Sequence, residues 1–261
     1  MNLTGEGERL PVSIGGLMAF ALRAWAANAP LYAALALAAF ALESVAEFVL
    51  PTAPIATPQG QFKLYVLQYT GLFVDAFVLA AVALGVAARA AGATPPVKAI
   101  AGGAVDRWLP VIAVSFLAQS VVILTTEFSG LVPPPEPRAL VLIFAPLTWT
   151  LWAILGLAGP FVALGPRRAA LAVLIGFGRA FTVSLNRANL LRLCGLAVLL
   201  VLPNVLQTLL QNALIAHHVA RAIFWGNVPI DVLTIGPLSA IETAFALDFA
   251  RRAGMLDDPA A

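Results

Sequence analysis

Six runs of apolar residues, each long enough to cross a bilayer as a helix, fix the class of object this chain forms. They extend approximately over Pro30 to Leu50, Leu64 to Ala88, Trp108 to Thr126, Ala139 to Leu164, Leu191 to Leu214 and Val232 to Ala250. A hydrocarbon core about 30 Å thick takes roughly 20 helical residues at about 1.5 Å each. Backbone groups must be satisfied internally in lipid, and the alternation of a barrel strand is absent, so the runs predict helices. Composition points the same way: 61% of residues are hydrophobic and 11% are charged, against about 25% charged in a soluble domain. With so few ionisable groups a water-facing surface cannot be covered, and the net charge of +2 carries no nucleic-acid signal. The expected fold is an all-α polytopic membrane protein, one membrane domain over residues 1–261.

The segments between the runs set the orientation. "PTAPIATPQGQ", "SGLVPPPEPR" and "AHHVARAIFWGNVP" are loop-forming, and with their flanks contribute only Lys63, Arg138 and Arg221 to the basic residues. The other twelve Lys and Arg fall on the opposite side, which places both termini in the cytoplasm. "AANA" before Pro30 superficially suggests a signal-peptidase site, but Arg23 interrupts the apolar stretch and the start is read as retained. Trp108, Trp149, Trp152 and Trp225, with Tyr65 and Tyr69, fall where interfacial aromatics are expected. The single cysteine, Cys194, excludes an internal disulfide and is expected to be a packed, inert thiol.

The chain also repeats itself. "IGFGRAFTVSLNRANLLRL" (175–193) and the residues after it to Ala197, shifted back by 161 positions, meet Ile14, Gly15, Ala19, Phe20, Ala27, Asn28, Leu35 and Ala36 as identities. "ARAAG" at 88–92 meets "ARRAG" at 250–254 at a shift of 162. A fainter copy runs from "VKAIAGGAVDRWLPVIAV" to "LGPRRAA". Three parallel units follow, about 12–92, 95–168 and 169–254, with a short tail at 255–261. Each comprises a cytoplasmic lead-in, an outward span, a loop, a returning span and a basic end. Any pseudo-symmetry axis then lies along the membrane normal, two-fold or three-fold. In the last unit, Arg179, Thr182, Asn186 and Asn189 follow helical spacing on one face, opposite Phe177, Ala180, Phe181, Ser184, Leu185 and Ala188. The stretch is either an amphipathic helix on the cytoplasmic surface or an inward extension of span five. Arg179, Arg187 and Arg192 are the expected contacts to lipid phosphates.

"GRAFTVSLNRANLLRLCGLAVLLVLP", together with "AIETAFALDFARRAGMLDD", resembles a bacterial six-helix inner-membrane family, the glycerophosphodiester phosphodiesterase membrane domain and related membrane proteins. The resemblance covers mainly residues 170–258. It implies a multi-pass protein of the bacterial inner membrane and carries over no catalytic residue. No acid-and-histidine constellation in the chain replaces the phosphodiesterase domain found in that family.

Ionisable groups in lipid cost roughly 2.5 to 3.5 kcal/mol each at a helix centre, so each one is a candidate. Glu43 and Glu47 lie one turn apart in span one, Asp75 near the middle of span two and Glu242 near the middle of span six. Span five carries Asn204, Gln207, Thr208, Gln211 and Asn212 as a polar stripe that must face protein or water. Pro203 starts that stripe, and Asp248 is expected to pair with Arg251 and Arg252. Adjacent His217 and His218 diverge on either a helix or a strand, so no metal site is expected. No cofactor motif is present. These observations point to a non-enzymatic membrane component, a scaffold or accessory subunit whose partners are lipids and other membrane subunits or itself. Small-residue faces in "AALALAAFAL" and "VLAAVALGVAARAAG" allow close approach of a partner. The alternative is a transporter or channel for a small solute or lipid, built on the intramembrane acids and the stripe. An embedded enzyme is a third reading, since paired carboxylates do acid–base work, but their spacing names no substrate.

Overall fold

Deprived of water to satisfy their backbone, the Ala- and Leu-rich runs close into helices along nearly all of the chain. The computed structural model describes residues 10–50, 57–130, 138–165, 169–216 and 220–255, and these are helical throughout apart from short turns, without strands. The helices are α1 (Ile14–Ala26), α2 (Ala29–Val49), α3 (Pro58–Ala90), α4 (Val97–Gly130), α5 (Arg138–Leu164), α6 (Ala169–Ser184), α7 (Leu190–Ala216) and α8 (Ala220–Arg252). Within them Tyr69–Ala90, Val97–Ala118 and Pro146–Leu164 are long and apolar enough to cross a membrane. The expected lead-in before the third run is not a separate helix. It is continuous with α4, which runs unbroken from Val97 with Pro110 inside it.

Three helices form the centre: α3, α5 and α8 pack against one another pairwise. Outside them, α2 contacts α3 and α8, α4 contacts α3 and α5, and α7 contacts α5 and α8. The short helices α1 and α6 lie mainly on α8 and α5 respectively. Along α3 the inner contacts are made by small residues, with Ala76, Val78, Ala80, Ala81, Val82, Ala83 and Val86 all buried. Leu109, Leu147, Leu174 and Leu191 are exposed. This inverts the rule for soluble proteins, as expected where the surrounding solvent is itself apolar and tight backbone approach drives association. Larger side chains, Leu17, Phe20, Leu193, Leu196, Phe245 and Phe249, are buried around the junction of α1, α7 and α8.

Helix boundaries recur along the chain. α2 starts at Ala29 and α7 at Leu190, 161 positions later; α3 and α8 start and end 162 positions apart. The terminal hydrogen bonds recur too. Asn28 N–H donates to Trp25 and its carbonyl accepts from Tyr32, while Asn189 N–H donates to Asn186 and its carbonyl accepts from Leu193. At the other end Gly92 (φ 72°) and Gly254 (φ 69°) take the left-handed conformation that closes a helix. Ala93 N–H then reaches back to Ala88 at 2.8 Å, and Met255 N–H to Ala250 at 2.9 Å.

The segment 175–193 departs from its expected continuous helical face. α6 stops at Ser184, and α7 begins at Leu190. Asn186 Oδ1 accepts from Ala188 N–H at 3.0 Å, a local bond that competes with the helix ladder. Arg179 and Thr182 are exposed as expected, whereas Asn189 is fully buried. Its amide nitrogen donates to the carbonyls of Val183 (2.8 Å) and Phe249 (3.2 Å), tying the turn to α8. Losing a buried donor shared by two carbonyls costs about 1–3 kcal/mol. Asn189→Ala is therefore expected to lower the unfolding temperature in detergent clearly more than Asn186→Ala, and equal effects would contradict the proposed tie.

Candidate functional site

The inner helices leave a cleft of about 300 Å³ between them, reached also by α4 and α7. Leu238 and Glu242 come from α8, one turn apart; Trp152, Leu155, Gly156 and Gly159 from α5; Leu72 and Leu79 from α3; Val114, Ser115 and Ala118 from α4; and Leu200 from α7. Most of the lining is apolar, with the Glu242 carboxyl, the Ser115 hydroxyl and the Trp152 indole as its polar side chains. Gly156 makes the carboxyl's position possible. A Cβ there would lie 2.8 Å from Glu242 Oε1 and 3.6 Å from Leu200 Cδ1, so a side chain on α5 would drive the carboxyl away. Glu242 has no hydrogen bond or ion pair among the described residues, and Trp152 Nε1 is buried without an acceptor. The neighbouring polar groups on α8 satisfy themselves, since Thr243 Oγ1 donates to the Ser239 carbonyl at 2.7 Å.

Of the intramembrane candidates, Glu242 is thus in the cleft. Asp75 is half-buried on α3, three residues after Leu72 and four before Leu79, on the helical stripe that carries both. The side chains of Glu43, Glu47, Asn204, Gln207, Thr208, Gln211 and Asn212, and also residues His217 and His218, lie outside the described residues. Sequence reasoning missed Trp152 as a lining residue of the cleft; its spacing to Leu155, Gly156 and Gly159 was the available signal. Trp108 is half-exposed and donates to the Phe73 carbonyl at 2.6 Å. Cys194 is exposed, not packed. It shares an outward stripe of α7 with Leu191, Val198 and Leu202, a face indistinguishable by hydropathy from an inner one. Among the described residues no group of three His, Cys, Asp or Glu side chains is arranged to hold a metal.

A second polar assembly lies at the end of α8. Asp248 is fully buried and accepts from Arg192 Nη1 (2.6 Å), Arg251 Nη2 (2.6 Å) and Arg252 Nε (2.9 Å). The expected pairing with Arg251 and Arg252 is present, and Arg192 from the start of α7 joins it. The same guanidiniums hold the chain's opening segment: Arg251 donates to the Leu10 carbonyl at 2.9 Å, and Arg192 and Arg252 both donate to that of Val12. Arg192, expected beside Arg179 and Arg187 at lipid phosphates, is therefore engaged within the protein, while the other two are exposed. On α4, Arg107 donates to the Gly165 carbonyl at the end of α5.

Comparison with known protein families, with characterised proteins and with solved structures finds no match. Removing one partner from a buried ion cluster costs about 3–5 kcal/mol, and the partial exposure of the three arginines (13–24%) puts Asp248 near the lower bound, about 3 kcal/mol. Asp248→Asn is expected to lower the unfolding temperature strongly, whereas Arg187→Gln on the exposed turn stays within about 0.5 kcal/mol of the parent. Comparable thermal melts for the two variants in the same detergent would refute this.

Proposed function

We propose that the protein is a non-enzymatic, six-span integral membrane protein that takes a small amphiphilic solute into the cleft at Glu242 and passes it across or along the bilayer. The observation that carries this reading is a carboxyl without a partner among the described residues, held between three central helices by the missing side chain of Gly156. A buried acid in an apolar wall is compensated best by a cation or a strong hydrogen-bond donor. The rest of the lining suits a short hydrocarbon body, and the volume falls at the lower end of small-molecule sites, about 300 Å³. The favoured ligand is an alkyl chain ending in an amine.

The six spans are supported by six helices of 21 residues or more, the shortest of them α2. Three parallel units are supported by the 161- and 162-residue offsets between helix boundaries and by the matching end bonds at Asn28 and Asn189 and at Gly92 and Gly254. The contacts of α3, α5 and α8 suit a three-fold arrangement around the cleft. The excess of basic residues at the ends of α3, α5 and α8 favours both termini inside, and the sequence resemblance favours a bacterial inner membrane. A scaffold role is the second reading. Of the two small-residue faces that suggested it, the one on α3 is spent within the chain, while Ala34, Leu37, Ala38, Ala41 and Leu42 on α2 stay exposed for a partner or a second copy.

Titration of the detergent-purified protein with hexylamine and with hexanoate, followed by calorimetry, tests the cleft. Hexylamine is expected to bind, hexanoate not. Glu242→Gln weakens hexylamine by roughly tenfold or more, the loss of one charge-assisted bond, and Gly156→Leu blocks it. Equal affinity for both probes, or hexylamine binding unchanged in Glu242→Gln, rules the proposal out.

A further inference from the structure

The corner at the end of α8 carries more positive charge than it neutralises. Arg192, Arg251 and Arg252 share the one carboxylate of Asp248, which leaves an excess of two positive charges. Arg187 adds a third: it is exposed on the turn 185–189, which Asn189 pins to the Phe249 carbonyl. A guanidinium carries five N–H donors, and each of the three in the cluster makes two bonds within the protein. Arg192 and Arg252 bond Asp248 and the Val12 carbonyl, and Arg251 bonds Asp248 and the Leu10 carbonyl. Donors are therefore left over on side chains that stay partly exposed. The surroundings are apolar and exposed: Leu190 and Leu191 precede Arg192, Val12 supplies the carbonyl that two arginines hold, and Met255 follows Arg252 in the turn closed by its bond to Ala250.

We infer that this corner is a binding site for an anionic phospholipid, with its phosphate on the guanidiniums and its acyl part against the exposed Leu and Val side chains. Arg251 and Arg252 directly follow the apolar run Val232 to Ala250, so a bilayer that takes up this run sets the cluster at headgroup level. A guanidinium fork meets phosphate oxygens in pairs, and the bonds to Asp248 and to the two carbonyls hold the forks in place before the ligand arrives. The apolar fringe decides between the two sources of such a phosphate, because a free ion gains nothing from it and a lipid does. Of the three arginines expected at lipid phosphates, Arg187 and Arg192 belong to this corner, and Arg251 and Arg252 join them. The site draws on nothing in the Glu242 cleft.

The protein is reconstituted in nanodiscs of equal parts phosphatidylglycerol and phosphatidylcholine, and native mass spectrometry counts the lipids it keeps on release. The parent is expected to retain phosphatidylglycerol in preference to phosphatidylcholine. Arg187→Gln, at a side chain that bonds nothing among the described residues, leaves the fold intact and lowers the preference roughly fivefold, the effect of one basic residue at an anionic surface. Arg252→Lys keeps the charge but loses the fork, and it lowers the preference where a diffuse surface attraction would not; its unfolding temperature in phosphatidylcholine alone reports whether the corner is still folded. Lys98→Gln removes an exposed charge from the first turn of α4, which packs mainly on α3, α5 and α6, and leaves the preference at parental strength. Absence of a preference in the parent overturns the inference, as does an equal loss in Lys98→Gln and Arg187→Gln. Two further results overturn it. Sodium phosphate raising the unfolding temperature with no phosphatidylglycerol retained assigns a free ion, and a preference seen only after Asp257→Asn with Asp258→Asn gives the site to the chain's own tail.

Discussion

The carboxylate of Asp248 joins parts of the chain that are otherwise far apart. Three arginines converge on it, and through them the opening residues 10–12, the start of α7 and the end of α8 become one rigid corner. A lone buried carboxylate would be heavily penalised; three charge-assisted bonds offset that cost, and the partly exposed guanidiniums keep some hydration. The corner brings residues 10–12 onto the last helix, on which α1 also packs. The cleft at Glu242 draws its lining from five helices spread over the chain from Leu72 to Glu242.

Much of the architecture was legible in the sequence, and for a definite reason. Length, apolarity and the absence of alternation leave only helices as a solution in lipid, and the pairing of Asp248 with Arg251 and Arg252 follows from i,i+3 and i,i+4 spacing. What was not legible depends on contacts that spacing along one helix does not encode. Arg192 meets Asp248 from 56 residues away, and the carbonyls of Leu10 and Val12 carry no side-chain signal at all. Trp152 was missed as a cleft residue and Cys194 was misjudged for a common cause: hydropathy cannot distinguish an inner face from an outward one when both are apolar. Residue size does better here, since Ala76, Ala80 and Ala83 turn inward and Leu174, Leu191 and Leu202 turn outward.

The polar side chains described show two ways of placing such groups in this environment. Near the helix ends side-chain donors meet backbone carbonyls, as Asn189 Nδ2 does those of Val183 and Phe249 and Arg107 does that of Gly165. In the cleft Glu242 has no hydrogen bond or ion pair among the described residues, and Thr243 beside it is satisfied on its own helix. That contrast makes Glu242 a better guide to activity than polarity alone.

The joints at Asn28 and Asn189 have a counterpart that is missing. There the backbone ladder is interrupted between a short helix and a long one, whereas α4 continues through the equivalent region despite Gly102, Gly103 and Pro110 inside it. Mechanically the assembly therefore has two elbows and one strut. α1 and α6 are thus joined to the long helices through turns, whereas the first turns of α4 are continuous in backbone with Val114, Ser115 and Ala118 in the cleft wall.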